Sequence, residues 1–155
     1  MKGRVNYVVA MQDTWRFNRM ASDKTMQEMK ILLVDNEPDL TYAIGTVLRD
    51  SGFEVDSFND PVLVSETYKS NYYDLVILDI KMPKMDGFQL YDRIRQKDRK
   101  TKICFLTASE MFYESLRQAR NLIGDVLGEQ YFIQKPIKTD ELIRRLTDLI
   151  NFPQV

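Results

Sequence analysis

Four short apolar runs, each ending on a polar or charged side chain, alternate with longer amphipathic segments from about residue 30 onward. Ile31-Leu32-Leu33-Val34 runs into Asp35-Asn36-Glu37, and Leu75-Val76-Ile77-Leu78 runs into Asp79. Ile103-Cys104-Phe105-Leu106 leads to Thr107, and Tyr131-Phe132-Ile133-Gln134 leads to Lys135-Pro136. A continuously apolar strand is covered on both faces, so such runs argue for a parallel sheet with helices on each side. Glu54-Val55-Asp56-Ser57-Phe58 alternates instead and suits a half-exposed edge strand.

The intervening segments read as five helices. Pro38 fits a first helical position, Leu40, Ala43, Ile44, Val47 and Leu48 form a stripe, and Gly52 fits the stop. Asp60-Pro61 opens a second helix through about Tyr68, and Gly87 to about Arg95 supplies a third with Phe88, Tyr91 and Ile94 on one face. Ser109 opens a fourth, whose stripe of Phe112, Leu116, Ala119, Ile123 and Leu127 runs unusually far. Thr139 caps the fifth; Asp140 and Glu141 favour its dipole, and Leu142, Leu146, Leu149 and Ile150 bury one side.

In an open α/β sheet the ligand site lies outside the carboxyl ends of the strands. Here those ends offer acidic groups, a hydroxyl and a lysine, a set suited to magnesium-assisted transfer of a phosphoryl group onto a carboxylate. At 155 residues the chain has room for one ordinary domain. It contains no histidine, which excludes a Ser-His or Cys-His pair and a histidine phosphodonor of its own. Cys104, the single cysteine, lies inside an apolar run and reads as a core residue. A formal charge of −1 makes no general case for binding nucleic acid or an anionic membrane. A cytoplasmic protein is the expectation.

Residues 1–29 break the alternation. They hold five of the eight methionines, the only tryptophan, Trp15, and five Lys/Arg against three Asp/Glu. One reading is an N-terminal extension created by start-codon choice, with translation beginning at Met20 or Met26. The other is a short basic arm that docks on the domain or a partner.

Four stretches taken in order, Ile31 to Pro38, Leu78 to Gly87, Leu106-Thr107-Ala108 and Gln134-Lys135-Pro136, resemble the receiver domain of two-component response regulators. The resemblance spans about Lys30 to Asn151. It implies a flavodoxin-like, doubly wound, five-stranded parallel sheet of order 2-1-3-4-5 with five helices. The chain then divides into an extension (1–29), a receiver domain (30–152) and a tail (153–155). No output segment follows in this sequence, so the reading is a stand-alone receiver, related to chemotaxis regulators.

The resemblance also assigns roles. Asp79 is the phosphoacceptor, a carboxylate meeting a reactive donor such as the phosphohistidine of a sensor histidine kinase or phosphotransfer protein. Asp35, Asn36, Asp79 and the backbone carbonyl of Lys81 hold Mg²⁺. Lys135 pairs with a phosphoryl oxygen and Thr107 donates its hydroxyl to another. Pro136 resembles the family's cis peptide. Thr107 and Phe132 form the switch, and signal leaves through helix 4, strand 5 and helix 5 to an unknown downstream protein. A phenylalanine at 132 has no hydroxyl tip, so a buried rotamer is expected.

Three departures qualify this picture. The family usually has a second acid where Asn36 stands, so weaker magnesium binding is expected. Lys81 and Ser109, at positions that tune phosphoryl loss in the family, predict a long-lived phosphoryl group. The stretch from Thr107 to Lys135 is about six residues longer than the resemblance implies, either an altered partner face or a tolerated surface insertion. Gly124 weakens that helix by roughly 1 kcal/mol relative to alanine, and Gly128 is its expected stop. The alternative function is a degenerate receiver that binds partners without phosphorylation. A haloacid-dehalogenase-type phosphatase lacks its second acid at Lys81. A nucleotide- or flavin-binding role rests on the fold alone.

Overall fold

A computed structural model describes residues 28–123 and 128–151. The expectations for residues 1–27, for Gly124 and for a helix running through Leu127 lie outside the described residues.

Five parallel strands form one sheet: β1 (Lys30–Val34), β2 (Glu54–Phe58), β3 (Leu75–Asp79), β4 (Lys102–Ala108) and β5 (Phe132–Lys135), in the order β2-β1-β3-β4-β5. The strand ends align across the sheet, with Val34 beside Leu78, Asp79 beside Leu106, and Ala108 beside Lys135. The chain turns outward in opposite directions from β1 and β3, so the crevice at the switch point opens between Asp35 and Asp79. β2 is the half-exposed edge that its alternation predicts.

Five helices, α1 (Pro38–Asp50), α2 (Pro61–Thr67), α3 (Gly87–Lys97), α4 (Phe112–Ile123) and α5 (Thr139–Asn151), cover the two faces. Strand periodicity sorts the core. Leu32, Val34, Val76, Leu78, Phe105 and Phe132 pack with residues of α2, α3 and α4. Ile31, Leu33, Ile77, Cys104, Leu106 and Ile133 pack with those of α1 and α5. Asp60 caps α2 by accepting from the Val62 amide at 2.9 Å, and Asp86 with Gln89 forms a capping box on α3.

Three expectations need correction. The buried face of α1 is Thr41, Ile44, Gly45 and Leu48, whereas Ala43 is exposed. Thr41 turns inward because its hydroxyl donates to the Glu37 carbonyl at 2.8 Å and accepts from Asn59 Nδ2 at 2.8 Å. The helix is therefore rotated towards a polar residue that a stripe of apolar positions passes over. Second, α4 starts at Phe112, because residues Ser109–Met111 form a 3-10 turn. Third, Thr139 is the first residue of α5 and not its cap: the Leu142 amide donates to the Lys138 carbonyl at 2.9 Å.

At the opposite end of the sheet from the strand carboxyl termini, Asp98 is buried and acts as a hub. Its carboxylate accepts from the amides of Asn71 (3.0 Å), Lys100 (3.0 Å) and Thr101 (3.1 Å) and from the Tyr68 hydroxyl (3.0 Å). This one side chain ties together the loops entering β3 and β4.

Candidate functional site

Each strand end delivers one polar side chain to the same crevice. Asp35 follows β1 directly and is fully buried; Asp79 is the last residue of β3; Thr107 is the last but one of β4, and Lys135 ends β5. The Lys135 ammonium bridges the two acids, 2.9 Å from Asp35 Oδ2 and 3.1 Å from Asp79 Oδ1. The other Asp35 oxygen accepts from the Glu37 amide at 3.0 Å. The Asp35 carbonyl is held by Asn59 Nδ2 at 2.7 Å and by the Thr41 hydroxyl at 3.1 Å. Asp79, Thr107 and Lys135 line one cavity of about 350 Å³, together with Glu37, Lys81 and Ser115.

Glycine is required behind the crevice. The Gly87 amide donates to the Ile80 carbonyl at 2.8 Å, and a Cβ at Gly87 would lie 2.4 Å from the Asp79 carbonyl oxygen. Only a residue without a side chain lets α3 begin this close to the end of β3.

Burial, and then the neighbouring charge of Asp35, push the Asp79 carboxyl up to about 6 against the pull of Lys135. Burial works against the Lys135 ammonium, but its hydrogen bond to Asp35 and the charges of both acids outweigh it and hold its pKa above the ordinary lysine value. Two acids therefore share one cation in a poorly solvated crevice.

That electrostatic setting and the donor set fit a small divalent cation. Asp35 and Asp79 supply hard carboxylate oxygens, and the Lys81 carbonyl supplies a third donor. With its amide oriented to satisfy its neighbours, Asn36 donates to Asp79 Oδ2 at 3.2 Å and to the Lys81 carbonyl at 3.3 Å. The partly positive amide group thus lies between oxygens that would otherwise face a metal. Among the described residues no three His, Cys, Asp or Glu side chains cluster tightly enough to hold a metal ion, so this set has two acids and a carbonyl.

The fold gathers Asp35, Asn36, Asp79, Thr107 and Lys135. Lys81 is exposed and offers its carbonyl. The Lys135-Pro136 peptide is cis. Phe132 is buried beneath the site, stacked on Phe105 with ring centroids 5.2 Å apart. Met111, Ser115 and Gln118 also line the cavity, and no motif marked them. Met111 closes the 3-10 turn, and Ser115 and Gln118 follow three residues apart on α4, so both face the same side of that helix.

The chain matches the family described as "Response regulator receiver domain" over residues 31–147. It is 36% identical over 118 residues to the transcriptional regulatory protein DltR of Streptococcus agalactiae, covering 76% of this chain and 50% of that protein. It is 30% identical over 122 residues to TrcR of Mycobacterium tuberculosis, covering 79% of this chain and 45% of that protein. The chain thus spans about half the length of these curated relatives. The non-phosphorylated HemR receiver domain from Leptospira biflexa superposes with a TM-score of 0.68 at 28% identity, covering 82% of this chain and 98% of that one. The chemotaxis response regulator CheY4 of Vibrio cholerae gives 0.65 at 25% identity, covering 81% of this chain and 99% of that one. The chain belongs to the response regulator receiver domain family of two-component systems.

Proposed function

We propose that this receiver accepts a phosphoryl group on Asp79 from the phosphohistidine of a sensor kinase or phosphotransfer protein. The observation that carries the proposal is the meeting of Asp79, Thr107 and Lys135 in one cavity of about 350 Å³. An Asp79 oxygen attacks the phosphorus in line; an O–P bond forms as the donor P–N bond breaks, and the bonding pair leaves on the imidazole nitrogen. Lys135 transfers its ammonium from the Asp79 carboxylate to a phosphoryl oxygen, and Thr107 donates its hydroxyl to another. Asp35, the Asp79 carboxylate, the Lys81 carbonyl and a reoriented Asn36 amide oxygen would hold Mg²⁺, which supplies neutralisation of the negative charge gathering there. Signal then passes through the α4, β5 and α5 face to a protein partner.

Incubation with acetyl phosphate and Mg²⁺, wild type beside Asp79→Ala, tests this. One phosphoryl of added mass on the wild type and none on the variant is expected; equal labelling of both removes Asp79 from the role.

One observation favours the degenerate receiver as a second reading. Lys135 and the Asn36 amide together satisfy both acids without a metal ion. No mass gain in the wild type at saturating donor and Mg²⁺ would select it. The names of the longer relatives favour a different output, transcription control by a regulator of which this domain is the receiving half. The intact mass of the native protein separates that arrangement from a receiver acting alone.

A further inference from the structure

The Thr107 hydroxyl is held by α4. Its oxygen lies 3.0 Å from the Ser115 hydroxyl, with both residues buried, whereas the Ala108 carbonyl is at 3.4 Å. Ser115 lies in the first turn of α4 and lines the same cavity as Asp79 and Lys135. The pair therefore connects the crevice where a phosphoryl group would sit to the helix that forms one side of the proposed output face.

Among the α4 residues whose burial is described, Ser115, Leu116 and Ala119 are buried and Phe112 packs against the core, while Tyr113 and Leu122 are 81% and 62% exposed. A buried hydroxyl that loses its partner without water to replace it is costly, so a hydrogen bond at this place has leverage over the position of the helix.

We infer that Ser115 is a positioning residue that latches Thr107 to α4 in the unphosphorylated protein, and that exchange of the Thr107 hydroxyl from Ser115 to a phosphoryl oxygen releases the first turns of α4. The inference rests on the proposed phosphorylation of Asp79. Either hydroxyl can donate in this pair, and an anionic phosphoryl oxygen is a stronger acceptor for the Thr107 proton than a serine hydroxyl or the Ala108 carbonyl. Movement towards the phosphoryl oxygen leaves Ser115 without its partner in a buried position. The helix turn that carries it must then shift or admit water.

The test is amide hydrogen exchange across Phe112–Ile123, with and without acetyl phosphate and Mg²⁺, in wild type, Ser115→Ala, Thr107→Val and the double variant. Alanine is a better helix former than serine, so loss of the helix itself is not the expected effect. In the wild type, phosphorylation should speed exchange in the first turns of α4. In unphosphorylated Ser115→Ala, exchange there should already be faster by roughly three- to tenfold, the range of one lost hydrogen bond. Phosphorylation should add little to it. The phosphorylated fraction at limiting donor should rise by a similar factor, because the latch no longer competes. Adding Ser115→Ala to Thr107→Val should change nothing further if the two hydroxyls act as a unit.

Wild-type-like exchange in Ser115→Ala, or a lower phosphorylated fraction, would overturn the latch. A wild type that takes up no phosphoryl group defeats the proposed function instead; comparison of unphosphorylated wild type, Ser115→Ala and Thr107→Val would still decide whether the hydroxyl pair holds α4.

Discussion

The Lys135 ammonium lies 3.1 Å from Asp79 Oδ1, so the carboxylate proposed to attack phosphorus is paired with a cation in the unphosphorylated protein. The same ammonium reaches the fully buried Asp35, and the pairing keeps two crowded acids compatible with folding. Replacing Lys135 with methionine leaves both carboxylates without it. A loss of about 3 kcal/mol in metal-free stability is expected, as for other buried charges that lose a partner. Urea unfolding at neutral pH measures this, and added Mg²⁺ should restore part of the loss.

Stability should respond to pH with two slopes of opposite sign. Asp79 is pushed up to about 6 by burial and by Asp35, so folding favours its protonated form. Its contribution is present below the unfolded value and lost as pH rises through about 6, at most about 3 kcal/mol. At Asp98 burial acts to raise the pKa. The amides of Asn71, Lys100 and Thr101 and the Tyr68 hydroxyl more than offset it and hold the carboxyl below its ordinary value. That stability is present above the unfolded value and lost as pH falls through the folded one. Thermal midpoints across pH should lose the upper slope in Asp79→Asn and the lower slope in Asp98→Asn.

Asn36→Asp should tighten Mg²⁺ binding by about tenfold, because a third carboxylate adds charge to a site for a hard cation. The same change removes the amide donors that now face Asp79 and the Lys81 carbonyl. The metal-free variant should accordingly unfold more easily than the wild type. Calorimetric titration with MgCl₂ measures the affinity, and an unchanged value would remove Asn36 from the ligand set.

Phe132 is 1% exposed and stacks on Phe105, its partner across the β4–β5 ladder. Phe132→Ala should lower stability by about 3–5 kcal/mol through loss of the ring and the cavity left behind. Chemical denaturation gives the value. A cost below about 1 kcal/mol would mean that the ring spends its time outside the core.

Much of this molecule is legible as sequence. Apolar runs ending at Asp35, Asp79, Thr107 and Lys135 fix both the sheet and the edge where chemistry collects, because a strand buried on both faces has nowhere else to place a polar side chain. The parts that escape are those where polar residues take core positions. Thr41 is buried by hydrogen bonds to backbone and to Asn59, which no apolar stripe records. Asp98 looks like a loop acid until four donors from two loops are seen to converge on it. Ser115 belongs to the site only because a 3-10 turn of three residues sets the phase of α4.

The contact behind Asp79 decides where motion can go. Backbone presses on backbone at Gly87, with no side chain to compress, so the end of β3 has a rigid stop at its rear. Asp79 is therefore walled off on the α3 side and faces outward into the cavity that Thr107, Ser115 and Lys135 also line.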